Sequence, residues 1–298
     1  MTGEYVVMHG ATALAVSLRK GQAMEIEFTP GPETIITWSA SDSEETWFEA
    51  TLARNEKFEV LSSGNQAIAD RLLFILNSAL ELNPEFLSNS GTYACDCRIM
   101  FERHWGWGTS STLISNIAYW ADVDPYELNR KVTVGSGYDI ACARAESAVL
   151  YRLTSDGPEV EEVDFYPWFH HHFLFVYLGR KQDTLSEIAR FEERQQDLAD
   201  AIPEISDLSV LLYKTKDLDE FMAGIRRHEE ILSGLLGRSP VKEELFPDFN
   251  GEVKSLGAWG GDFVLAVSTD SEQMMREYFT AKGYDVHFDW DQIVLYET

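Results

Sequence analysis

The chain has 298 residues, 45% of them hydrophobic and 25% charged, the composition of a globular protein with one large domain or two of about 150 residues each. Fifty acidic residues against 24 basic ones give a formal net charge of −26, a surface that repels phosphate backbones and argues against DNA or RNA as a partner. No run of about 18 apolar residues is long enough to span a membrane, no basic-plus-apolar leader opens the chain, and three cysteines without a CxxC pair fit a reducing compartment, so the cytoplasm is the expected location.

The first third reads as strands: Glu4–Met8, Ala23–Phe28, Thr34–Trp38 and Thr46–Ala53 are apolar-rich and bounded by turn residues. Gln66–Leu82 then carries Ile68, Leu72, Leu73, Leu76 and Leu80 at helical spacing. Thr92–Phe101 returns to period two, with Tyr93, Cys95, Cys97, Ile99 and Phe101 on one face. This makes the two cysteines neighbours, best read as buried free thiols. A loop at 104–111 leads into an apolar helix over Thr112–Trp120. Asp124-Pro125 opens a short helix, Asp as N-cap and Pro in the first turn. The turn Gly135-Ser-Gly-Tyr-Asp139 precedes a helix over Ile140–Ala145, and Ser147–Leu153 is a strand.

In the second half Phe173–Leu178 is a strand. Asp183 to about Leu236 is helical, broken at Pro203 and at Lys216-Asp217. Val253–Ser255, Phe263–Val267, a helix Ser271–Lys282, and strands Asp285–Phe288 and Gln292–Tyr296 complete the chain. The pattern predicts an α+β protein in two layers, with domains 1–155 and 156–298 meeting at the polar turn Thr154-Ser-Asp-Gly-Pro158.

Three glycine turns could carry chemistry. Gly106-Trp-Gly-Thr-Ser-Ser111 opens a helix, where unpaired N–H groups and the positive end of the dipole suit a phosphate and hydroxyls can reach a Mg2+. It lacks the GK[ST] of a Walker loop, and Gly, Thr and Ser are also ordinary cap residues. In the second turn Asp139 can cap the helix that follows or act as base toward a substrate hydroxyl. The third, Gly257-Ala-Trp-Gly-Gly-Asp262, is either a backbone cradle for an anion or a bulged turn. With a charge of −26, any nucleotide site here needs Mg2+ and a local ring of donors.

Taken in order, these turns carry a resemblance. Thr2-Gly3-Glu4-Tyr5-Val6-Val7 with Gly10-Ala11, then Gly106-Trp-Gly-Thr-Ser-Ser111, then Gly257-Ala-Trp-Gly-Gly261 resemble the three motifs of the galactokinase, homoserine kinase, mevalonate kinase and phosphomevalonate kinase (GHMP kinase) superfamily over essentially the whole chain. Gly3-Glu4-Tyr5, Gly135-Ser-Gly-Tyr-Asp139 and Gly260-Gly-Asp262 are nearest to the phosphomevalonate kinase forms, mevalonate kinase being the alternative. Gly137-Tyr-Asp-Ile-Ala141 points to a distinct bacterial branch.

The resemblance implies a ribosomal S5 domain 2-like ATP-binding N-terminal domain, a ferredoxin-like C-terminal domain and a site between them. It implies ATP and Mg2+ as cofactors and a small-molecule substrate, phosphomevalonate or mevalonate, as partner, with monomer and homodimer both open. ATP phosphates would lie on Gly106, Gly108, Thr109, Ser110 and Ser111, Mg2+ on Ser111 and Glu127, and Asp139 would be catalytic. Gly260 and Gly261 would support the nucleotide, and Glu4, Ser136, Gly137 and Arg144 the substrate.

Two departures stand out. The superfamily's Gly-Lys before the first motif is missing from Met1-Thr2-Gly3-Glu4. Either the start is assigned about ten residues too late, which would explain a strand edge left unpaired, or the Lys is lost and the protein is a weak or catalytically impaired nucleotide-binding homologue. Trp259 stands where the superfamily has Gly, and would narrow a pocket or stack on a base. His170-His171-His172 reads against a metal site, because successive strand residues alternate faces. Arg19 and Lys20 are candidates for an anionic substrate, and Trp105 and Trp107 for adenine or for core packing.

Overall fold

The structure, a computed structural model, describes residues 1–180, 191 and 198–296. The strands are β1 (Ala13–Ala15), β2 (Gln22–Pro30), β3 (Thr34–Ser41), β4 (Thr46–Arg54), β5 (Phe58–Ser63), β6 (Gly91–Ile99), β7 (Ala148–Thr154), β8 (Gly157–Val163), β9 (Phe173–Tyr177), β10 (Glu252–Leu256), β11 (Phe263–Val267) and β12 (His287–Phe288). The helices are α1 (Gln66–Leu82), α2 (Thr109–Ala121), α3 (Pro125–Val132), α4 (Tyr138–Arg144), α5 (Leu198–Lys214), α6 (Leu218–Leu236), α7 (Val241–Leu245), α8 (Glu272–Ala281) and α9 (Trp290–Ile293). They form two compact units, one of Lys20–Arg144 and one of Met1–Arg19 with Ala145–Thr298.

The unit Lys20–Arg144 is a sheet in the order β2-β6-β3-β4-β5, with β3 and β6 parallel and the other pairs antiparallel. Period-two sequence sets one face inward: Ile36, Trp38 and Ala40 of β3 and Tyr93, Cys95, Cys97 and Ile99 of β6 are buried. All of these but Ile99 pack with Leu72, Ile75, Leu76 and Ala79 of α1 and with Ile114, Ile117 and Ala118 of α2 into one core. Each large side chain so buried stabilises the unit by about 1.5–3 kcal/mol. Asn65 starts α1 by accepting the Ile68 N–H at 3.3 Å, and Asp124 starts α3 by accepting that of Glu127 at 2.8 Å.

In the other unit β9, the helices after it, β10, β11, α8 and β12 run in a β-α-β-β-α-β order, and the antiparallel sheet is arranged β10-β11-β9-β12. That is the ferredoxin-like order expected of the C-terminal part. Leu174 and Val176 of β9, Val264 and Ala266 of β11, Ile205 of α5, Leu232 of α6 and Phe279 of α8 form its core. A second sheet, β1-β7-β8, belongs to the same unit, with Leu14 opposite Leu150.

That second sheet explains where the expected boundary at 155 differs. Thr154-Ser-Asp-Gly-Pro158 is the turn of the β7–β8 hairpin, where Thr154 pairs with Gly157, and so lies inside one unit. Residues 1–19 return to that unit because β1 has its only named strand partner in β7.

Other elements also depart from the sequence reading. Glu4–Met8 is not a strand: Tyr5 sits at φ 65 and Val6–His9 is a 3-10 turn closed by Gly10 at φ 89. Pro203 does not break its helix but lies within α5, and the carbonyl-bearing residue whose hydrogen bond it forfeits, Ala199, is exposed and can bond water. The helix expected from Asp183 onward lies in part outside the described residues. Gln292–Tyr296 is not a strand, because Asp289 and Gln292 form a capping box that winds Trp290–Ile293 into a helical turn. His170–His172 is a 3-10 turn rather than strand.

Candidate active site

The loop at 106–111 lies within Lys20–Arg144 and ends as a helix start. Gly106 and Gly108 hold φ 71 and 78, left-handed values that suit glycine, and Gly108 is the residue from which α2 departs. The first intrahelical bond runs from the Thr112 N–H to the Gly108 carbonyl at 3.0 Å. The N–H groups of Thr109, Ser110 and Ser111 therefore precede the helical ladder and point outward with the dipole. Ser110 is exposed and Ser111 half-buried, and neither hydroxyl hydrogen-bonds to another described residue. Thr112 is different: its hydroxyl donates to Gln22 Oε1 at 2.8 Å and fastens the start of α2 to β2. Beside the loop Phe101, Trp107 and Trp105 form a run of rings, with centroids 5.6 and 4.7 Å apart, and Lys20 lies 6.0 Å from the Trp105 ring.

The second turn belongs to the same unit. Gly137 at φ 84 lets the chain enter α4, and the Tyr138 N–H donates to Ser136 Oγ at 3.3 Å. Helix α4 packs against α2 and α3, so Asp139 and the 106–111 loop are carried by adjoining helices. The Asp139 side chain keeps an exposed edge, yet burial pushes its pKa up, opposed in part by a hydrogen bond with Tyr138. One turn on, burial first and the Asp139 charge second push the Cys142 thiol up to about 12.

Arg144 ends α4 and is exposed. Five positions on a helix turn about 140°, so Arg144 does not share a face with Asp139. Glu127 faces solvent on α3 with Arg130 3.9 Å away, and among the described residues no group of three His, Cys, Asp or Glu could hold a metal ion. For Mg2+ the fit is therefore to hydroxyls at the start of α2, together with phosphate oxygens, rather than to a carboxylate cage.

In the other unit the structure places several of the expected site residues differently. Glu4 is buried rather than open to a substrate: its Oε1 accepts from Lys254 Nζ at 2.8 Å, and its Oε2 lies 3.5 Å from His228 Nε2. Burial alone would raise the Glu4 pKa, but Lys254 and its neighbours hold it at about 2. Glu229 completes this buried cluster, 3.5 Å from Lys254 Nζ and accepting the Ser255 N–H at 3.1 Å. His228 Nε2 accepts the Gly3 N–H at 3.0 Å, which places the ring proton on Nδ1, and burial, then Lys254, lowers its pKa. These partners escaped the sequence reading because positions 4 and 254 are linked only by the fold, and β10, Glu-Val-Lys-Ser-Leu, has no apolar run in which Lys254 would stand out.

The Gly257–Gly261 turn is likewise tied up internally. The Gly260 N–H donates to Ser255 Oγ at 2.8 Å and the Gly261 N–H to the Ala258 carbonyl at 3.0 Å, so neither amide is open to a nucleotide as expected. Trp259 neither narrows a pocket nor stacks on a base. It is 1% exposed in the core, its N–H bonded to Tyr5 Oη at 2.7 Å and its indole N–H to the Ser239 carbonyl at 3.3 Å. Arg19 is also structural, donating to the Val294 carbonyl and lying 4.6 Å over the Tyr296 ring.

No protein-family model matches the sequence, and no curated protein matches it. Solved structures do match in fold. The Streptococcus pneumoniae phosphomevalonate kinase superposes with a TM-score of 0.68 at 16% identity, covering 97% of this chain and 95% of that one, and the same enzyme in complex with phosphomevalonate and AMPPNP superposes at 0.67. The Methanococcus jannaschii mevalonate kinase gives 0.66 at 15% identity over 99% and 95% of the two chains. A Bacteriodes thetaiotaomicron D-glycero-D-manno-heptose 1-phosphate kinase gives 0.65 at 14% over 97% and 89%. The chain thus has the α+β fold shared by these small-molecule kinases.

Proposed function

We propose that the chain is an ATP-dependent small-molecule kinase of the GHMP superfamily, with an anionic isoprenoid precursor, phosphomevalonate in the first place, as acceptor. The observation that carries this reading is the placement, inside one compact unit, of a glycine-formed helix start with two unengaged hydroxyls and of the Asp139 carboxyl on the adjoining helix. The acceptor is proposed from the Gly135–Asp139 and Gly260–Asp262 strings and from the likeness to the phosphomevalonate kinase complex.

In this reading the amides of Thr109, Ser110 and Ser111 bind the phosphates, and Ser111 Oγ holds Mg2+. Mg2+ when bound supplies neutralisation of the phosphate charge, which a protein of net charge −26 needs more than most. Asp139 accepts the proton of the acceptor hydroxyl as it is phosphorylated, with Ser136 and Gly137 shaping the approach. The half-buried Trp105 and Trp107 offer the base an aromatic wall. Catalysis is then positioning and charge neutralisation.

A second reading, a catalytically impaired nucleotide-binding homologue, is favoured by the engaged amides of Gly260 and Gly261 and by the buried Trp259 ring. A coupled ADP-release assay with phosphomevalonate, mevalonate, homoserine, galactose and a heptose phosphate separates the two. Turnover with phosphomevalonate supports the first reading, turnover with a sugar phosphate alone moves the acceptor, and ATP binding without turnover on any of them establishes the second.

A further inference from the structure

The start of β10 lies at the far end of that strand from the glycine turn, about 13 Å away at the rise of an extended strand. There Glu252 is buried, 6% exposed, and is contacted by two cations. Arg226 of α6 donates through Nε at 2.9 Å and through Nη2 to Oε1, and Lys242 of α7 lies 3.3 Å from Oε2. These three residues line a cavity of about 310 Å³ together with Met222, Phe249 and Thr269. The volume is at the small end of ligand pockets.

The charges do not cancel. One carboxylate faces two cations, and Arg226 keeps its Nη1 donors and Lys242 two of its three after serving Glu252. Among the described residues no other acid lines the cavity; nearby, Glu230 acts on Arg226 but pairs with Arg227 at 3.3 Å, Asp270 accepts from Asn250 at 2.9 Å, and Glu243 and Glu244 are exposed beside Lys242 on α7. In a chain with twice as many acids as bases, a cavity with a surplus cation is an exception that solubility does not explain. Glu252 holds one cation on each carboxylate oxygen, Arg226 on Oε1 and Lys242 on Oε2, and both cations keep donors beyond it. Gly251 brings the backbone close: a Cβ there would come within 2.2 Å of the Val267 carbonyl, so this part of the lining packs directly on β11.

We propose that this cavity is a second anion site, taking inorganic phosphate or a small phosphate monoester on Arg226 and Lys242, with Met222 and Phe249 against the organic part. It shares no residue with the turns of the candidate active site and holds whether or not the chain is a kinase.

The test follows backbone amides by 15N-edited NMR while inorganic phosphate, and then a small phosphate monoester such as glycerol 3-phosphate, is added to the full chain. Sodium chloride at matched ionic strength is the control. The amides of Asn250, Gly251 and Glu252 should shift saturably, and those of Thr109–Ser111 report the other site separately. Met222→Glu places a carboxylate in the cavity wall one helical turn before Arg226, where it competes with an anion for that cation, and should weaken the response at 250–252 about tenfold or more while leaving that at 109–111 unchanged. Arg226→Gln should do the same. A wild-type response at 250–252 no larger than that to chloride, or one that survives intact in Met222→Glu, overturns the proposal. A phosphate monoester that binds no more tightly than inorganic phosphate assigns the site to the free anion.

Discussion

Replacing Lys254 by Met should reverse the sign of the acid dependence at the buried cluster. In the native protein Lys254 Nζ is 2.8 Å from Glu4 and 3.5 Å from Glu229, and all three residues are buried. Glu4 is held at about 2 against an ordinary 4.5. A depressed carboxylate contributes stability that is fully present above the unfolded pKa and is lost as pH falls through the folded one. Here the loss runs from pH about 4.5 down to about 2 and amounts to about 3 kcal/mol. Lys254→Met keeps the volume and removes the cation, leaving two buried carboxylates, and should cost about 3–5 kcal/mol at pH 7. With the cation gone, burial governs Glu4, whose pKa moves above 4.5. The variant then gains stability as pH falls from 7 toward that value, and its deficit against the wild type shrinks.

Urea unfolding followed by circular dichroism at pH 7 and pH 4 measures both effects. Glu4→Gln on top of Lys254→Met should restore more than 1 kcal/mol at pH 7, because it removes one of the stranded charges. A deficit below about 1 kcal/mol at pH 7, or one of the same size at both pH values, would refute the assignment of Lys254 as the counter-charge.

Asp139→Asn should lower kcat by about 10²–10⁴-fold in the ADP-release assay with an unchanged far-ultraviolet spectrum; retained turnover would remove Asp139 from its role. Because the pKa of Asp139 is raised, and the carboxylate is the form that accepts a proton, the rate should fall on the acid side at a pH above that of an ordinary Asp, 3.8, and this limb should vanish in Asp139→Asn. Trp259→Ala should cost about 3–5 kcal/mol of stability by leaving a core cavity, measured by thermal unfolding, instead of opening room for a ligand. Cys95, Cys97 and Cys142 all have thiols raised by burial, Cys97 and Cys142 to about 12, so a disulfide reagent at pH 8 should titrate none of them quickly until urea is added.

Helix α1 and strand β11 were legible to the residue, because Ile68, Leu72 and Leu76 repeat at helical spacing behind an Asn cap, and Phe263–Val267 is an unbroken apolar run between turns. The three glycine turns were legible as places, since glycine is needed where φ is positive. Their chemistry was only half legible. Whether an amide at 260 faces a ligand or Ser255, and whether Glu4 faces solvent or Lys254, depends on partners that no local pattern names. The same holds for Glu4–Met8, whose apolar run reads as strand until the ties of Thr2 to Ser209 and Gly3 to His228 set it as a turn. Strand β8 was missed because Glu159, Glu161 and Glu162 on a two-sided exposed strand carry no apolar alternation. The helical turn at 290–293 did have a readable signal, Asp289 three residues before Gln292.

The hairpin β7–β8 and its partner β1 impose an order on synthesis. Ala13–Ala15 leaves the ribosome early, but the strand that closes its hydrogen bonds, Ala148–Thr154, follows only after the whole of Lys20–Arg144. During that interval the inserted unit has every element of its own sheet available, and the first nineteen residues wait with an open edge. Anything that slows release of residues 145–163 prolongs the exposure of that edge, which makes the nascent chain, more than the finished protein, the form most in need of a chaperone.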